Sequence, residues 1–152
     1  KGQTMFKRNV SMRIVLSAAA AIAVAITTAS VVQAQVKKGK VRAMKTAQWM
    51  KGVMKPQCDA LKKGLDAGPA SDESWEALAG NAALLNEASF LLMDDGRCPD
   101  GVWAEAASKM LRQGSDDVLK AVEAKDLAAA KSAFSSMTKA CGACHDKHKE
   151  KK

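Results

Sequence analysis

The sequence predicts an all-α protein, an antiparallel up-down-up-down four-helix bundle, and three observations carry that reading. Four segments repeat apolar residues every three or four positions, the period of a helix face. Short clusters of Gly, Pro and Asp separate them. The composition has no Tyr, three Pro and much Ala, Leu, Lys and Glu, which favours helix throughout. Four helices of roughly 22 to 28 residues with short connections pack antiparallel around one core. No repeat, low-complexity linker or second domain interrupts them.

The first segment runs from about Lys40 to Ala67, with an apolar face of Met50, Val53, Met54, Cys58, Leu61 and Leu65. Pro56 lacks an N–H and is expected to kink or split it. Gly68-Pro69 ends it. The second runs from about Asp72 to Met93. Ser71 is the expected N-cap, Asp72, Glu73 and Glu76 suit the positive helix start, and Trp75, Leu78, Ala82, Leu85, Ser89 and Leu92 form the stripe. The third begins near Pro99 or Asp100 and ends near Glu123, on a stripe of Trp103, Ala107, Met110, Leu111, Gly114, Val118 and Ala121. The fourth starts at the capping residue Asp126 and carries Leu127, Ala130, Phe134, Met137, Cys141, Cys144 and His148 along one face. Trp49, Trp75 and Trp103 lie on or beside these stripes and read as core anchors.

Residues 1–34 read as a leader and a cleaved export signal, and residues 35–152 as the folded domain. Lys7, Arg8 and Arg13 precede the Ala-rich apolar run Ile14 to Ile26, and Val32-Gln33-Ala34 fits a small-residue cleavage site. The chain does not open on Met, and Met5 and Met12 are the candidate starts. Four of the 24 basic residues precede Gln35 and none of the 16 acidic ones does, so half of the formal +8 belongs to the leader. The remaining balance gives no case for a nucleic-acid partner, and nothing after the signal reads as a membrane segment.

Cys141-Gly142-Ala143-Cys144-His145 is a C-x-x-C-H sequence, the pattern of covalent c-type haem attachment. The two thiols add across the vinyl groups of one haem, and the histidine binds iron through a ring nitrogen. On a helix, Cys141, Cys144 and His145 fall on one face within about one turn. Two other readings compete. A thioredoxin-like thiol pair needs a strand–helix context, and nothing here reads as strand. A zinc site built from Cys141, Cys144, His145 and His148 needs four ligands from eight residues of one helix to converge, which their directions prevent. The export signal supports haem, because bacterial c-type haem is attached outside the cytoplasm.

A four-helix bundle with C-x-x-C-H near its C-terminus, after an export signal, resembles the class II c-type cytochromes: cytochrome c-prime and its low-spin relatives. The stretch Met50-Lys51-Gly52-Val53-Met54 with Leu61-Lys62-Lys63-Gly64 is similar to that family's first helix. The resemblance implies one covalent haem c on Cys141 and Cys144, with His145 as the fifth iron ligand. It also implies a homodimer formed through the first two helices. Pro56, two further cysteines and the stretch Arg97 to Trp103 depart from the pattern and leave the sixth ligand open.

In an up-down-up-down bundle the end of helix four lies beside the start of helix one, which brings Met44, Met50 and Met54 into range of the iron. Met50 is the first candidate for sixth ligand, with Met44 and Met54 as alternatives. Core filling is the competing role for all three. His148 rises from the same helix as His145 and cannot reach the opposite face of a haem. Cys58 and Cys98 are an even remainder of thiols in an exported chain, which invites a disulfide. Buried, reduced thiols are the alternative, because Cys58 sits well below the first turn. The expected function is a soluble, periplasmic, monohaem electron carrier and not an enzyme. Its partners are redox proteins, acidic ones being favoured by the basic run Lys147 to Lys152. A five-coordinate protein that binds nitric oxide or carbon monoxide is the alternative.

Overall fold

The computed structural model describes residues 41–149. The signal and cleavage site expected at 1–34, and the last three residues of the basic tail, lie outside the described residues. Those described form four helices and no β-strand. Helix α1 covers residues 46–67 in three continuous stretches, Thr46–Trp49, Met50–Met54 and Lys55–Ala67. Helix α2 is Asp72–Met93. Helix α3 covers residues 101–123 as Gly101–Ala104, Glu105–Leu111 and Arg112–Glu123. Helix α4 is Leu127–His148.

The helix starts follow local chemistry. The Ser71 hydroxyl accepts from the Ser74 N–H, and the Ser74 hydroxyl in turn takes the Ser71 N–H. Asp100 caps α3 through the Trp103 N–H and Asp126 caps α4 through the Ala129 N–H. Each satisfies a donor that no helical carbonyl can reach. Gly68 ends α1 at φ +76°, a conformation that a side chain resists.

Of the two outcomes expected of Pro56, a kink or a split, the split does not occur: α1 runs on through it, with a departure from regular α-helix just before the proline. The chain keeps helical dihedrals at Trp49, Met54 and Lys55. It passes through a π-helical turn, Met50–Met54, and the Lys55 N–H bonds to the Met50 carbonyl five residues back. The wider turn meets the proline at the start of the following α-helical stretch, where a missing N–H costs least. A second π segment, Glu105–Leu111, lies in α3, where no residue signals it.

Residues that meet across helices run in opposite order. Gly64 faces Leu78, and Gly68 faces Leu127. Asn86 bonds to the Arg112 carbonyl and the Ser115 hydroxyl. Trp103 donates its indole N–H to the Leu92 carbonyl at 2.8 Å. Gly114 meets Met137, and Trp103 meets His148. A β-carbon at Gly114 would stand 2.9 Å from the Met137 Cα, so only glycine permits this approach of α3 to α4. The core is built on Leu61, Leu65, Leu78, Ala82, Leu85, Val118, Val122, Ala130 and Met137, each buried. The stripes read from sequence therefore face inward, with one polar exception. Between α2 and α3, buried Ser89 and Ser115 join Asn86 and Arg112 in a hydrogen-bonded seam.

Helix α1 packs mainly on α2 and only sparsely on α4. That sparse contact leaves room between α1 and α4.

Candidate functional site

The room is a cavity of about 510 Å³ against the last turns of α4, within the range of cofactor pockets, about 300–1,000 Å³. All four helices contribute to its wall. Met50 and Met54 come from α1, Leu85 and Leu92 from α2, and Trp103, Ala106, Ala107 and Leu111 from α3. Met137, Ala140, Cys141, Cys144, His145 and His148 come from α4. Both π segments face it. A π turn widens the helix and shifts the side chains that follow, and such turns often occur at functional sites. Ala106, Ala107 and Ala140 are small and leave the volume open.

The three motif residues reach this one cavity. Burial pushes the Cys141 thiol up, and burial together with neighbouring Cys141, Asp100 and Cys98 pushes the Cys144 thiol up to about 11. Both are thus neutral thiols at physiological pH. A dithiol redox pair needs a lowered pKa at the attacking sulfur, so the thioredoxin-like reading loses support. Burial, followed by the Lys149 charge, lowers the pKa of His145, against the opposing pull of Asp146. Its ring is therefore neutral near pH 7, the form that binds metal. Among the described residues no three His, Cys, Asp or Glu side chains converge on a point that could hold a metal ion. The zinc reading has no such cluster to rest on.

Of the three methionines, Met54 is buried, Met50 half-buried, and both line the cavity. Met44 is 42% exposed and stands outside the wall. Cys58 lines the cavity beside Cys141, and burial first, then Cys141 and Asp59, push its thiol up to about 11. Cys98 lies on the opposite flank, near Cys144, and approaches the Asp100 carbonyl at 3.3 Å. Cys58 and Cys98 are not joined in the structure, and all four cysteines are free thiols.

The sequence reading missed two things here. His148, passed over as an iron ligand, is 4% exposed and sits edge-on to Trp103 with ring centres 5.4 Å apart. Arg97 is 5% exposed, and its buried Nη1 has no hydrogen-bond acceptor, as is also true of Trp49 Nε1. Neither donor lines the cavity. Nothing in a sequence period marks a buried arginine in a loop, because its burial depends on what folds over it.

Among the described residues, an all-helical fold with a large apolar cavity at a C-x-x-C-H helix end is consistent with a helical c-type cytochrome. Residues 99–149 match the family Cytochrome C'. Over that stretch the chain is similar to the class II c-type cytochromes, the cytochrome c-prime family, a family with covalently bound c-type haem. The match spans α3 and α4, including the motif and Asp100. Comparison with curated proteins and with solved structures found no match. No helix among the described residues is long and apolar enough to cross a membrane.

Proposed function

We propose that the protein is an exported monohaem electron carrier in which an up-down-up-down bundle encloses the haem. The single observation that carries this is the cavity itself. It joins two neutral thiols and a neutral imidazole on one wall to Met50 and Met54 on another. The opposing order of the interhelical contacts supports the bundle topology. A bound haem supplies reversible one-electron chemistry at its iron.

The chain's own residues have separable roles. Cys141 and Cys144 would hold the group as thioethers, each S–H adding across one vinyl group. His145 would supply the fifth ligand. Met50 is the first candidate for the sixth, and Met54 shares its wall. Leu85, Leu92, Leu111 and Met137 keep water off, which raises the cost of net charge at the iron and so sets the potential. Exposed Lys51, Lys55 and Lys149, with Asp59, also line the cavity, and a haem edge reached past them would exchange electrons with a partner. That basic rim suits an acidic redox protein as partner.

The absorption spectrum of the protein, co-expressed with haem-attachment machinery, tests this. The expected result is low-spin iron with a methionine–iron charge-transfer band. High-spin iron that shifts on adding carbon monoxide overturns the methionine-ligated carrier and establishes an open gas-binding face.

A further inference from the structure

Asp100 stands outside the cavity wall but grips the helix end that carries the motif. One carboxylate oxygen, Oδ1, accepts the Trp103 N–H at 3.0 Å and lies 3.3 Å from His148 Nε2. The other, Oδ2, is 2.6 Å from the Lys147 ammonium. At 29% exposure its side chain is the most sheltered carboxylate in any ion pair among the described residues. The His148 ring is wedged against Trp103, whose indole is tied to the Leu92 carbonyl. A chain of contacts thus runs from the end of α2, through the start of α3, to the last turn of α4.

A helix cap alone does not require this. Asp126 caps α4 with one oxygen, and the Ser71 hydroxyl does the same for α2. Asp100 caps α3 and also reaches two consecutive cations or donors on another helix. Lys147 and His148 lie two and three residues beyond His145, within the same turn. Pinning both fixes the rotation of that turn about its axis, and so the direction from which the His145 ring enters the cavity.

We propose that Asp100 is a positioning residue for His145, acting through Lys147 and His148 without touching the haem. The proposal rests on the haem reading above. It makes Asp100 a determinant of axial-ligand geometry. That geometry, together with ligand identity and burial, tunes a haem iron.

The test compares Asp100→Asn with Asp126→Asn, both in the full chain co-expressed with haem-attachment machinery. Asparagine caps a helix about as well as aspartate, so each variant keeps its cap and D100N loses the charge-assisted contacts. Expected for D100N are a shifted reduction potential and shifted proton resonances of the axial histidine. D126N should leave both at wild-type values. In the chain without haem, amide exchange at residues 145–149 should be about tenfold faster in D100N, the scale of a lost charged hydrogen bond. His148→Gln keeps a donor for Asp100 but removes the ring packed on Trp103, and should give an intermediate shift. A coloured wild type whose potential and histidine resonances are unchanged in D100N overturns the positioning role alone. A colourless wild type overturns the haem reading and this proposal with it.

Discussion

The two ends of this molecule are built by different rules. At one end, where α1 meets α2 and α3 meets α4, each connection is short and the groups that turn the chain and cap the helices are local. Gly68 turns the chain, Ser71 and Asp126 cap, and Lys125 reaches Asp72 across the surface at 2.6 Å. At the other end α1 and α3 are π-helical for a turn, Asp100 makes part-buried polar contacts to α4, and α1 stands off from α4. Regular packing closes the first end. Departures from regular helix keep the second open around Cys141, Cys144 and His145. Consistency between local rule and fold is the default, and its breaches gather where a site has to be held.

The largest expected effect lies at the open end. Replacing Cys141 and Cys144 together by Ala should abolish covalent haem retention, so that haem extracts into acidified organic solvent. The helical circular dichroism of the unloaded chain should not change. Haem that stays with the protein under extraction refutes the attachment assignment.

Packing predictions should separate the two ends. Leu65 is 1% exposed away from the cavity and Leu92 is 4% exposed on its wall. Leu65→Ala should cost about 2–5 kcal/mol in denaturant unfolding. In the unloaded chain Leu92→Ala should cost less, because one side of that leucine already faces open space and forfeits fewer contacts. Equal losses would mean that the cavity collapses in solution. Between these ends, Gly114→Ala drives a β-carbon to 2.9 Å from the Met137 backbone. It should cost about 1–3 kcal/mol by forcing α3 from α4.

A smaller effect depends on pH. Burial opposes ionisation of Asp100, but Lys147, the Trp103 amide and His148 outweigh it and bring the carboxyl down to about 2. An unfolded aspartate titrates near 3.9. The folded value is the lower one, so the stabilisation is complete above about pH 4 and is lost as pH falls through 2. At neutral pH it amounts to about 2 kcal/mol. Acid unfolding followed by circular dichroism should show a shallower loss between pH 4 and 2 in D100N than in wild type. The smallest effect belongs to the exposed pair Lys62 and Asp66, whose side chains are more than three-fifths exposed. Lys62→Ala should leave the melting temperature unchanged within error.

Much of the fold was legible before any coordinates. The span Asp72 to Met93 matches α2, the Ser71 and Asp126 caps form as their side chains suggest, and the third helix starts after Asp100. The motif residues meet one cavity because a spacing of three and four fixes their common face whatever surrounds them. Other features were not legible. Pro56 interrupts a regular α-helix, yet here a π turn just before it lets the helix run on. The π segment in α3 has no sequence mark at all. His148 looked like one more residue on a buried face, and its contact with Asp100, 48 positions earlier, came only with the fold.

The sequence by itself determined four helices, caps at Ser71 and Asp126, and the common face of Cys141, Cys144 and His145. Those depend on side chains within a turn or two of one another, where period and spacing are enough. Only the tertiary structure decided that α1 stands away from α4 and that Met50 and Met54 line the resulting cavity while Met44 does not. It alone placed Asp100 against the end of the motif helix. These features arise where separate segments come together, and their geometry follows from volumes and charges that no single segment carries.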